Sequence, residues 1–218
     1  PHNSFPDYPK LGFDDEALYV MSRQVNFNYN LIRIINKSEF YASNGGPVTY
    51  KDLYNIRTPG GGPASAALDV IHPAISYTPG SGAWFFWARG SLQGPSSANF
   101  YALYRITNPL TNPGLRGKAL TVTTYNTPPL AGQLGGGVGL ETTGWMSRAP
   151  VVRDGYLYAA HDIRNSTNVN YSSVKYLKVD LGTPAIVENV EFGNIGYYYL
   201  YPAITVDKDH NVAITFTR

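Results

Sequence analysis

Four arginines recur behind a proline at nearly constant distance. Arg23, Arg89, Arg164 and Arg218 lie 14, 16, 14 and 16 residues after Pro9, Pro73, Pro150 and Pro202. A guanidinium presents a planar fork of donors that matches a carboxylate or phosphate bidentately. Four such forks at one repeated position would ring one mouth of a repetitive architecture and hold an anionic ligand there. The structural alternative is that each arginine pairs with an aspartate or a backbone carbonyl of the neighbouring repeat. Both readings stand on sequence alone. Trp145, flanked by Gly144 and Met146, is the best candidate for an exposed aromatic platform of the kind sugars stack on.

Other chemistries find little support. The chain has no cysteine, which excludes disulfides, thiolate zinc sites and a cysteine nucleophile. His2, His72, His161 and His210 are scattered without metal-ligand spacing, so neither a metal nor a cofactor is expected. Asp207-Lys208-Asp209-His210-Asn211 opens like a calcium loop but lacks its glycine and glutamate, and reads as a hairpin turn. The runs Gly60-Gly61-Gly62 and Gly135-Gly136-Gly137 are not followed by the Lys-Ser/Thr of a phosphate loop and read as surface loops. Sequons at Asn36, Asn165 and Asn170 are candidate glycosylation sites, in a chain whose asparagine content makes three close to chance. A balance of 17 basic and 15 acidic residues leaves no basic footprint for nucleic acid. No apolar run is long enough for a membrane-spanning helix.

The elements that would position these residues repeat as well. Each proline heads a short apolar segment, a turn follows, and a second apolar segment closes near the arginine. The second segments are Ala17-Leu18-Tyr19-Val20-Met21, Ala83-Trp84-Phe85-Phe86-Trp87, Tyr156-Leu157-Tyr158-Ala159-Ala160 and Val212-Ala213-Ile214-Thr215-Phe216. Alternating third and fourth strands follow, Asn30 to Ile35 and Val48 to Ile56 in the first repeat. Charged residues are only 15%, while 22 glycines and 16 prolines suit many short strands and tight turns. The pattern predicts an all-β protein, a β-propeller of four-stranded blades. The blades fall at about residues 7–57, 71–126 and 146–191, with a half blade at 200–218, all within one domain, 1–218. Three and a half blades leave a ring open, so missing residues or another chain are expected to complete it. Richness in Tyr, Asn, Thr and Gly suggests a secreted or cell-surface protein.

Asp7-Tyr8-Pro9-Lys10-Leu11-Gly12 and Tyr201-Pro202-Ala203-Ile204-Thr205-Val206, with the turn and strand after it, resemble blades of secreted bacterial propellers grouped as sialidase-like (BNR-type). The resemblance implies six or seven blades, export, and an activity that is usually unassigned. It also implies that Arg23, Arg89 and Arg164 would stand for a sialidase arginine triad. Glu188 or Glu191 with a tyrosine of 197–201 would stand for its nucleophile pair. The S-x-D-x-G-x-T-W turn of sialidases is missing here. The expected function is therefore an extracellular, non-catalytic binding module for a glycan or protein ligand. The alternatives are a sialidase-type glycoside hydrolase acting on acidic sugars and a structural or assembly protein of the cell surface.

Overall fold

The computed structural model describes residues 5–27, 29–60, 68, 70–90, 97–142, 144 and 148–218. The protein is all-β, built from several sheets of which none closes into a barrel. The first sheet is a meander of β1 (Pro6–Phe13), β2 (Ala17–Gln24), β3 (Tyr29–Asn36) and β4 (Tyr50–Tyr54). One short helix, α1 (Lys37–Ala42), bridges its last two strands. The second contains β5 (His72–Pro73), β7 (Ala83–Trp87), β8 (Ser97–Thr107) and β9 (Gly114–Asn126), again antiparallel throughout. The third runs through β10 (Val151–Arg153), β11 (Tyr156–Arg164), β12 (Ser172–Asp180) and β13 (Ala185–Phe192). A hairpin of β14 (Leu200–Val206) and β15 (Val212–Thr217) closes the described chain. Residues 207–211 form its turn, where the Asp207 carboxylate accepts from the Asp209 and Asn211 amides and from Asn211 Nδ2.

The sheets pack face to face in chain order. One core cluster joins Tyr19, Met21, Ile32 and Ile34 to Phe85, Trp87, Phe100 and Ala102. The next joins Trp84, Phe86, Tyr101 and Leu103 to Leu157, Ala159, Leu177 and Val179. A third places Tyr158, Ala160 and Val174 against Ile204 and Val206. Successive side chains of a strand point to opposite faces. Phe85 and Trp87 therefore serve one interface and Trp84 and Phe86 the other. A sheet covered on both faces reads as a continuous apolar run, which explains Ala-Trp-Phe-Phe-Trp in β7.

The opening strand of the second sheet is split. β6 (Ile75–Ser76) leaves β5 and β7 and pairs parallel with both β1 and β10, through Phe13↔Ile75, Val151↔Ile75 and Val152↔Ser76. It thereby links the first and third sheets into one nine-stranded hydrogen-bonded array. Gly12 allows this convergence: a Cβ there would lie 2.5 Å from the Ala74 carbonyl oxygen and 2.6 Å from Pro73 Cβ. Gly12→Ala must push β1 off the second sheet and is expected to lower stability by about 1–3 kcal/mol in chemical denaturation. An unchanged midpoint would show that the contact is slack.

Pro150 directly precedes β10 and Pro73 lies in the two-residue β5, as expected of prolines that open first strands, but the other two differ. Pro9 and Pro202 lie inside β1 and β14, within register shifts between Asp7 and Lys10 and between Leu200 and Ala203. Proline has no N–H, so it is tolerated where the ladder is already broken. The preceding Tyr8 and Tyr201 both take left-handed backbone, with φ of 50° and 51°, a conformation that is strained for a bulky side chain.

Candidate functional site

The four arginines each stay with their own sheet. Arg23 is near the end of β2 opposite Asp7, and Arg164 ends β11 opposite Ser172. The Nε atoms of both are buried without a hydrogen-bond partner among the described residues. Arg89 follows β7 and donates its backbone N–H to the Tyr125 hydroxyl (3.0 Å). Arg218 lays its guanidinium over the Tyr197 ring, 4.3 Å from the centroid. Trp145 lies outside the described residues.

The three sequons differ in what their side chains do. Asn36 caps α1, accepting from the Ser38 amide. Asn165 is buried; its Nδ2 donates to Ser173 Oγ, and its Oδ1 accepts from the Thr167 and Asn168 amides. Attaching a sugar there would dismantle the turn. Asn170 is exposed, and its backbone N–H donates to Asn168 Oδ1.

The structure brings two further cations together. Segments of all four sheets converge on a cleft of about 490 Å³. Pro9, Lys10 and Leu11 come from β1, Ile75 from β6, Arg148 and Ala149 from the approach to β10, and Ala203 and Ile204 from β14. Lys10 and Arg148 are the only charged residues among those lining residues. Neither forms an ion pair among the described residues. Burial, and then the Arg148 charge, hold the Lys10 ammonium below its ordinary pKa. Beside it lies His72, fully buried, with neither ring nitrogen partnered among the described residues. Burial first and Lys10 second keep that imidazole neutral, far below its usual pKa. The result is an apolar-walled recess with uncompensated positive charge, which would receive an oxyanion.

A second polar cluster is sealed in the core. His161 Nδ1 donates to the Gly144 carbonyl (2.9 Å), which fixes Nε2 as acceptor for the Tyr101 hydroxyl (2.9 Å). Tyr101 in turn stacks on Tyr125, with centroids 4.9 Å apart and planes at 12°. Burial lowers the His161 pKa to about 4. The next residue, Asp162, is also fully buried, and neither carboxyl oxygen has a well-formed hydrogen bond. Burial raises its pKa to about 7, with its own amide and that of Gly144 pulling the other way. Both groups have tuned acidity, but with 0% exposure neither meets solvent. Tyr201, whose hydroxyl donates to the Glu141 carbonyl (2.6 Å), is raised by burial and then by the Asp162 charge.

The glutamates suggested as nucleophile partners sit on the outermost strand of the third sheet. Glu188 accepts from Lys178 Nζ (3.2 Å), and Glu191 accepts from the Ser166 amide (2.9 Å). Among the described residues no hydrogen bond joins either to a tyrosine of 197–201. Among the described residues no group of three or more His, Asp or Glu is placed to hold a metal ion. Sequence reasoning passed over Lys10 and Arg148. The signal for Lys10 was its place directly after the repeated proline; for Arg148 no local pattern marks it out. His161-Asp162 stands out in the sequence as the one neighbouring histidine–carboxylate pair, and as adjacent residues of β11 the two point to opposite faces of the strand.

No protein-family model matches the chain. No curated protein and no solved structure proved detectably similar to it.

Proposed function

We propose that the three meanders and the hairpin are blades of a β-propeller, and that the protein is an extracellular, non-catalytic binding module for an acidic glycan. Meander sheets stacked face to face in chain order, with opening strands converging, are what consecutive blades require. The sialidase-like character rests on the short motifs around Pro9 and Pro202. The observation that carries the ligand class is the pairing of Lys10 with Arg148 in the convergent cleft. Lys10 is half-buried beside the exposed Arg148 guanidinium, and neither has an ion-pair partner among the described residues. An anion that reached both would offset the desolvation of the ammonium. A sugar carboxylate supplies the charge, and Leu11, Ile75 and Ile204 offer apolar surface to the ring. The tuned acid Asp162 is too deeply buried to protonate a glycosidic bond, which favours binding over hydrolysis.

Calorimetric titration with N-acetylneuraminate and glucuronate tests this reading. Wild-type protein is expected to bind one of these acids saturably. Lys10→Met is expected to weaken that binding by about tenfold or more, the loss of one charge-assisted hydrogen bond. Equal affinity in wild type and Lys10→Met, or no binding of either acid, contradicts it.

An assembly role is a second reading, favoured by β15. The other second strands are largely buried, whereas β15 is exposed along most of its length, Val212 and Phe216 included. An open apolar edge of this kind can pair with a strand of another chain.

A further inference from the structure

Three connecting segments without a charged residue meet at one tyrosine. Residues 127–140, between β9 and β10, contain no Asp, Glu, Lys, Arg or His, and neither do residues 165–171, between β11 and β12, or residues 193–199, between β13 and β14. Tyr198 joins the three. Its ring packs on Tyr171, with centroids 5.4 Å apart, and a Cβ at Gly132 would lie 3.6 Å from its hydroxyl.

The first segment carries a finger. Ala131 and Leu140 exchange backbone hydrogen bonds of 2.9 and 2.8 Å, and at the root Thr142 Oγ1 donates to the Pro129 carbonyl (2.6 Å). Between them the chain reverses through Gly135, Gly136 and Gly137, all left-handed with φ of 84°, 80° and 116°. At the tip Leu134 is fully exposed and Val138 is 83% exposed. On the other two segments Val169 and Ile195 are each more than half exposed. Tyr171 and Tyr198, which tie the segments together, are half-buried.

Single exposed apolar side chains need no explanation, but a contiguous group of them marks a binding surface. Protein interfaces draw most of their energy from Trp, Tyr and Arg anchors, with Leu and Val under-represented. Here the outermost side chains are Leu, Val and Ile. Sugars call for flat aromatic faces and hydrogen-bonding groups, and aliphatic tips offer neither. The finger also turns polar groups back on itself. The Gly136 amide donates to the Gln133 carbonyl (3.2 Å), and Gln133 Nε2 donates to the Val138 carbonyl. Internal satisfaction of this kind is what a segment needs on leaving water for lipid. Aliphatic tips with tyrosines set closer to the body of the protein also match the order of a bilayer interface, where tyrosine sits at headgroup level.

We propose that this uncharged end of the protein docks on a neutral lipid surface, with Leu134 and Val138 entering the boundary between headgroups and acyl chains. A turn cannot enter the hydrocarbon core, where open backbone groups find no partner. The contact is therefore peripheral, reaching about 5–10 Å into the boundary. It is independent of the convergent cleft and of the sugar bound there.

Flotation with phosphatidylcholine vesicles tests the proposal. Wild-type protein is expected to float with the vesicles equally in low and high salt, because no charge takes part. The double variant Leu134→Asp, Val138→Asp is expected to partition about tenfold or more weakly. Its unfolding midpoint should be unchanged, since both side chains stand clear of the core. Leu134→Trp reports from the tip: relative to wild type, its emission is expected to shift to the blue on adding vesicles and to be quenched by lipids brominated along the acyl chains. Absence of flotation, flotation that needs anionic lipid and fails in high salt, or equal flotation of wild type and the double variant overturns the proposal. Emission from Leu134→Trp that vesicles leave unmoved does the same. So does vesicle-free dimerisation that the double variant abolishes, which would make a second copy the occupant, or retention on insoluble cellulose in place of vesicles.

Discussion

Replacing Asn30 with leucine is expected to cost about 3–5 kcal/mol of stability, as two or more buried backbone groups lose their partners. Asn30 is fully buried at the start of β3. Its Nδ2 donates to the Ile56 and Leu68 carbonyls (3.1 and 2.5 Å), and its Oδ1 accepts from the Ile56 amide (2.9 Å). One amide thus fastens β3 to the connection that leaves the first sheet. Leucine has the same branched skeleton, with bulkier methyl groups in place of the amide oxygen and nitrogen, and can satisfy none of these groups. Urea denaturation of Asn30→Leu against wild type measures the loss. Asn211→Ala, which removes a fully exposed turn contact, provides the contrast and should cost under about 1 kcal/mol. Equal effects in the two variants would show that the Asn30 network is not structural.

The second large effect concerns pH. Asp162 has its folded pKa raised from 3.8 to about 7. Between those values the native state keeps a proton that the unfolded chain has released. Its contribution is therefore greatest in acid and is lost as pH rises towards 7. His161 runs the other way, with a folded pKa lowered from 6.5 to about 4. Here the unfolded chain takes up the proton first, so stability is lost as pH falls from 6.5 towards 4. The two slopes oppose each other across the same window, and wild type should be nearly flat there. Asp162→Asn removes one slope: stability should then fall on acidification from pH 6.5 to 4. At pH 8 the same variant should exceed wild type by about 2–4 kcal/mol, since each pKa unit is worth about 1.4 kcal/mol. His161→Gln should show the opposite slope, rising on acidification, whatever its absolute stability. Parallel pH profiles in wild type and both variants would contradict this pair of assignments.

Much of the architecture was legible because strand and turn chemistry is local. The apolar runs of β2, β7 and β11 and the alternation of β3 and β12 follow from which faces are buried. The Asp207 loop declared itself a turn through residues that bond to each other. Other features depend on contacts distant in sequence. Nothing local shows that the strand after His72 breaks at Ala74, or that Ile75 crosses to pair with β1 and β10. That crossing depends on Gly12, which lies more than sixty residues earlier.

The candidate site was less legible for the same reason. The spacing of Arg23, Arg89, Arg164 and Arg218 marks equivalent strand ends, and spacing alone does not report the direction of a side chain. Lys10 and Arg148 are 138 positions apart and share a cleft only because four sheets converge. Asp162 gains its unusual acidity from burial, which adjacent sequence does not encode.

The central claim is that the convergent cleft receives the carboxylate of an acidic sugar. The most direct measurement is a crystal structure of the protein with the tighter-binding of N-acetylneuraminate and glucuronate. The carboxylate is predicted within about 2.7–3.2 Å of Lys10 Nζ and of the Arg148 guanidinium. A carboxylate seated instead at Arg23, Arg89 or Arg164, with the cleft empty, would contradict the account.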